Sequence, residues 1–102
     1  MQINFHQKHI HLSDAQKDYA QSKIEGLARF KVMEDESVVV KVDVEYREHI
    51  ASDKKILMAV NVHIPGEALR AETDCVSIEE GIDLIEPKLA SQLEKNKTAK
   101  QG

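Results

Sequence analysis

Apolar and polar residues alternate along several stretches of this chain and recur at helical spacing along two others, and that pattern alone lays out an α+β domain. Ile3 and Phe5 alternate with Gln2, Asn4 and His6, which predicts a short half-buried strand. Ser13 followed by Gln16 has the form of a capping box. It opens a helix expected from about Asp14 to Phe30, whose apolar arc holds Tyr19, Ala20, Ile24, Leu27 and Phe30. Lys23 falls inside that arc, where its stem can cover the core while its amine reaches water. Met33 to Ser37 reads as an acidic turn.

The second half is richer in strands. Val38, Val40, Val42, Val44 and Tyr46 share one face of an expected strand, while Lys41, Asp43, Glu45 and Arg47 dominate the other. A polar stretch from His49 to Lys55 reads as a hairpin loop, after which Ile56, Met58, Val60, Val62 and Ile64 again alternate. Pro65 and Gly66 supply a turn, and Leu69 to Thr73 a fourth strand. Ser77 with Glu80 forms a second capping box for a last helix, in which Ile78, Ile82, Ile85, Leu89 and Leu93 define one buried stripe. Pro87 lies inside that helix, removes a backbone donor and predicts a kink near Asp83. The expected order is β-α-β-β-β-α, a four-stranded sheet with two helices packed on one face and the other face in water.

At 102 residues the chain fits a single domain, expected over residues 1–98 with a frayed tail at 99–102. The core must be mostly aliphatic, since Phe5, Tyr19, Phe30 and Tyr46 are the only aromatics. Cys75 is the lone cysteine and cannot form an internal disulfide, and no basic-then-apolar leader precedes the first strand, so a cytoplasmic location is expected. No apolar run approaches the roughly 20 residues that a membrane span requires.

Charge changes the picture more. The net charge of −4 argues against indiscriminate nucleic-acid binding, but its distribution is uneven. Residues 1–31 carry five basic groups against three acidic, residues 32–86 five against fourteen, and residues 87–102 four against one. If the two terminal regions are neighbours in space, a small positive surface sits on an otherwise acidic protein. The basic set on or near the helices is Lys17, Lys23, Arg29 and Lys31, then Lys88, Lys95, Lys97 and Lys100. Lys95 and Lys97 also suit a helix C-terminus.

For catalysis the chain offers little. Cys75 lies beside Asp74 in an acidic neighbourhood that disfavours a thiolate. His6, His9 and His11 form a cluster that could ligate a transition metal, yet no cysteine or acidic group completes a four-ligand zinc site. There is no phosphate loop, dinucleotide fingerprint or H-E-x-x-H motif. No enzymatic activity, cofactor, resident metal or small-molecule substrate is expected. A binding role in another class is a protein-interaction module in which Asp43, Glu45, Glu72 and Asp74 on the wet sheet face engage a basic protein.

Several motifs carry a resemblance to a known family. The chain opens Met1-Gln2-Ile3-Asn4, has Ser13-Asp14-Ala15 at the start of its first helix, and ends with Gly81, Ile82, Asp83, Pro87, Lys88, Leu89, Gln92, Leu93, Lys95 and Lys97 in a pattern similar to A-I-D-x-x-x-D-K-L-x-R-Q-L-x-K-x-K. Over nearly its whole length it resembles the bacterial ribosome hibernation factors, or ribosome-associated inhibitors, of the sigma-54 modulation protein family. The resemblance implies a fold like a double-stranded-RNA-binding domain. It implies binding to the small ribosomal subunit, on 30S or 70S particles, through ribosomal RNA in the decoding and messenger channel, with inhibition of translation under stress or in stationary phase. Lys17, Lys23, Lys88, Lys95 and Lys97 match the family's basic helix positions, and Arg29 and Lys31 extend the set. Gly26 and Ser91 stand where the family usually has basic residues, Pro87 where it has an aspartate, and Ser77-Ile78-Glu79 where it has Asp-Met-Tyr. The chain resembles a short form, without the dimerisation domain of long members, and is expected to be monomeric off the ribosome.

Overall fold

Strand pairing follows the alternation read from the sequence. The computed structural model describes residues 1–96 with their side chains and carries the last helix as backbone to Gln101. The side chain of Lys97 and those of the expected tail at 99–102 lie outside the described residues. The elements are β1 (Gln2–Lys8), α1 (Asp14–Glu25), two 3₁₀ turns (Gly26–Arg29 and Lys31–Glu34), β2 (Val39–Tyr46), β3 (Ile56–Ile64), β4 (Glu67–Cys75) and α2 (Ile78–Gln101). The sheet order is β1-β2-β3-β4. β1 runs parallel to β2, whereas β2, β3 and β4 form an antiparallel meander.

Register sorts the side chains. Phe5, Val42, Val60 and Ala71 lie in one cross-strand row, and Ile3, Val40, Val62 and Leu69 in another, all on the face that the helices cover. The rows that alternate with these face away from the helices, among them His6, Asp43, Ala59 and Glu72, and then Lys8, Glu45, Leu57 and Asp74. A period of two therefore separates core from water as expected. α2 packs across β4 and β3 and against α1. Its stripe of Ile78, Ile82, Ile85, Leu89 and Leu93 is buried to 1 % exposure or less.

Both helix starts use the expected caps. The Ser13 hydroxyl accepts from the Gln16 backbone N–H (3.1 Å) while the Gln16 side chain accepts from the Ser13 N–H (2.9 Å). Ser77 accepts from the Glu80 N–H (3.1 Å), but the Glu80 carboxylate reaches back one residue further, to the Val76 N–H.

Two expectations need correction. Helix one stops at Glu25 instead of running to Phe30, and the chain continues through two 3₁₀ turns joined by an extended Phe30. Ile24, Leu27, Phe30 and Met33 are spaced by three, which fits three residues per turn as well as it fits one face of an α-helix. Met33, assigned by sequence to an acidic turn, lies on the second 3₁₀ turn and is fully buried as part of the hydrophobic core. α2, by contrast, continues as one helix through Pro87.

Two glycines hold tight places. Pro65 and Gly66 bridge the paired residues Ile64 and Glu67, and Gly66 has φ +80°, as the third residue of a type II turn requires. Gly81 sits inside α2 where the helix presses on the sheet. A Cβ there would meet Cys75 Sγ at 2.8 Å and the end of Met58 at 3.1 Å. This close approach accounts for a glycine in a helix interior, which otherwise costs about 1 kcal/mol relative to alanine.

Candidate nucleic-acid interface

The basic groups that sequence singled out are carried by α1, the two 3₁₀ turns after it and α2. Lys17 is half-buried on α1, and Lys23 is exposed near its end. Arg29 and Lys31, placed by sequence on the first helix, sit on the 3₁₀ turns that follow it. Lys88 and Lys95 lie one heptad apart on the same flank of α2. Lys17, Lys31 and Lys95 have no ion-pair partner among the described residues.

The two flanks of α2 do different things. Toward α1, Asp83 accepts a 2.7 Å hydrogen bond from the Tyr19 hydroxyl and lies 3.3 Å from Lys23 Nζ. One turn on, Glu86 lies 3.3 Å from the Arg29 guanidinium, whose other nitrogen donates to the Gly26 carbonyl. Lys23 also approaches the face of Tyr19, and Arg29 that of Phe30. Toward β4, Lys88 Nζ donates to the Glu72 carbonyl (3.3 Å), Gln92 donates to the Arg70 carbonyl (2.8 Å), and Asn96 contacts Glu67. These side chains guard the free edge of β4 against pairing with another chain.

Titration follows from the inner flank. The hydrogen bond from Tyr19, assisted by Lys23, holds the Asp83 carboxyl below its ordinary value of 3.8. The hydrogen bond to Asp83 raises both Tyr19 and Lys23 above their ordinary values. Because the folded state depresses Asp83, its contribution is present above pH 3.8 and is lost as pH falls through the lower folded value. Thermal unfolding of the wild type and of Asp83→Asn, followed from pH 6 to pH 2, is therefore expected to show a gap that closes below pH 4. A constant gap would show that the ion pair contributes nothing.

The open face of the sheet does not present bare acid. Glu45 lies 3.8 Å from Lys8, Glu72 is 3.0 Å from Arg70, Asp74 is paired with Arg47, and Asn61 donates to Asp43. The acids expected to engage a basic protein are thus interleaved with their own partners. Cys75 is fully buried, and burial, reinforced by Glu80 and Asp74, pushes its thiol up to about 11. Among the described residues no three histidine, cysteine or acidic side chains come together to hold a metal ion, and no helix is long and apolar enough to cross a membrane.

Sequence reasoning missed the role of Asp83, Glu86 and Tyr19. Asp83 was visible only as part of a motif. Its partners lie more than fifty positions away, and the one local signal was Lys23 inside an apolar arc.

Known structures share this architecture. The N-terminal domain of Thermus thermophilus Protein Y superposes with a TM-score of 0.75 at 23 % identity, over 93 % of this chain and 98 % of that one. A ribosomal subunit interface protein from Coxiella burnetii does so with a TM-score of 0.75 at 23 % identity, over 96 % and 99 %. Those likenesses establish the fold. The sequence itself matches, over residues 3–101, the family described as Sigma 54 modulation protein / S30EA ribosomal protein, and to that family the chain belongs.

Proposed function

We propose that this protein binds the small ribosomal subunit through ribosomal RNA in the decoding region and so inhibits translation. Its family is one of ribosome-associated modulation proteins, and the structural relative from Coxiella burnetii is described as a ribosomal subunit interface protein. The observation that carries the reading is the sidedness of the molecule. Both helices lie on one face of the sheet and, with the 3₁₀ turns after α1, they carry the exposed Lys31, Lys88 and Lys95 and the half-buried Lys17 among their own acids, while the acids of the opposite face are matched by neighbouring cations or amides.

RNA of this kind is held mainly by its shape and phosphates. A face with a few spaced lysines and an overall charge of −4 fits binding that depends on where the phosphates lie, because indiscriminate attraction is weak. Lys17, Lys23, Arg29, Lys31, Lys88, Lys95 and Lys97 are the proposed RNA contacts. Sucrose-gradient sedimentation with purified ribosomes is the test. At low salt the protein should travel with 30S and 70S particles, and it should leave them as salt rises. Its absence from both fractions at low salt would reject the proposal.

A further inference from the structure

We infer that Asp83 and Glu86 act as intramolecular stand-ins for phosphate, holding Lys23 and Arg29 until RNA displaces them, so that the α1–α2 groove sets a threshold against weak or misplaced polyanions. The inference rests on the proposed RNA binding. Each carboxylate lies 3.3 Å from its cation, in the place a phosphate oxygen would take at the about 2.7–2.9 Å of a strong charge-assisted hydrogen bond. Both cations belong to the set proposed to contact RNA, and both acids come from the other helix, so the arrangement depends on the folded protein.

The two pairs are accessible to a competitor. The side chains of Lys23 and Asp83 are 45 % and 48 % exposed, and that of Arg29 is 53 % exposed, although Glu86 is more enclosed at 20 %. Phosphate can therefore approach the cations without unpacking the core. Exposed pairs of this kind are each worth a factor of about 1.4 to 5 in an equilibrium. A nucleic acid that contacts only the groove must overcome both pairs. One that also engages the lysines on the outer flank of α2 has binding energy to spare for the exchange. Tyr19 keeps Asp83 pointed into the groove through its 2.7 Å bond, and Glu79 adds to the negative potential there.

The test compares three proteins by binding to purified small ribosomal subunits across a salt series: wild type, Asp83→Asn with Glu86→Gln, and Asp43→Asn with Glu72→Gln. The last pair makes the same change in net charge on the opposite face of the sheet. Releasing the groove cations is expected to tighten binding about 2- to 25-fold, the product of two such pairs. It should also steepen the dependence of log affinity on log salt by about 1 to 2, while the opposite-face variant stays within about twofold of wild type. Equal tightening by both variants, or none by either, would overturn the groove inference and leave the proposed function standing. Absence of binding by all three would overturn both. Binding by the groove variant alone would support the threshold. Ultraviolet titration of Tyr19 in a Tyr46→Phe background reports the groove directly: its phenol should ionise at lower pH once Asp83→Asn weakens the hydrogen bond to Asp83 and removes its charge, and no change would count against the proposed geometry.

Discussion

Leu89→Ala is expected to destabilise the protein by about 3 kcal/mol, within the range of about 2–5 for a buried leucine cut to alanine. Leu89 is fully buried in the α2 stripe. It lies two residues after Pro87, where the helix already lacks one backbone donor. The cavity would open beneath the segment whose Lys88 and Gln92 seal the edge of β4, so collapse around it would also pull on those contacts. For a domain of this size the loss corresponds to a fall in melting temperature of about 12–24 °C. Leu84→Ala is the comparison. Leu84 is 43 % exposed on the same helix, and its loss should change stability by no more than about 0.5 kcal/mol. Similar effects at the two positions would mean that the helix beyond Pro87 is not seated on the sheet.

Lys88→Glu combined with Lys95→Glu is expected to remove the protein from ribosomal particles. Both lysines lie on one flank of α2, and reversing them replaces two attractive charges with two repulsive ones on the proposed contact surface. The salt dependence should lose about 1.5–2 in slope, and affinity should fall by at least about tenfold. Lys88 also donates to the Glu72 carbonyl, so the double variant gives up one exposed hydrogen bond, worth about 1 kcal/mol at most. Circular dichroism should therefore show a folded protein with a slightly lowered melting temperature. A folded variant that still travels with the small subunit at wild-type affinity would place the RNA contacts elsewhere.

What the sequence made legible was set by local periodicity. The alternation in β2 and β3, the apolar stripe of α2, both serine caps and the Pro65-Gly66 turn are each encoded within a few residues, and each appears in the structure. The end of α1 was not legible, because apolar residues three apart satisfy an α-helix and a 3₁₀ turn alike. Met33 was hidden by acidic neighbours that point to water while it does not. The candidate interface was legible as a list of cations and illegible as a surface. Whether Lys23 is available depends on Asp83, and whether Lys88 is available depends on Glu72, and both relations come from packing α2 between α1 and β4.

The parallel pairing of β1 has a kinetic side. Tyr46 meets Ile56 and Ile64 meets Glu67, so the β2–β4 meander can zip through connections that link neighbours in the chain, one of them the tight Pro65-Gly66 turn. Gln2, by contrast, waits for Val39, with α1 and both 3₁₀ turns between them. Closing that long loop before its contacts reward it is slow. The strand synthesised first is therefore the one expected to dock last, leaving Ile3 and Phe5 uncovered while the rest of the chain collapses.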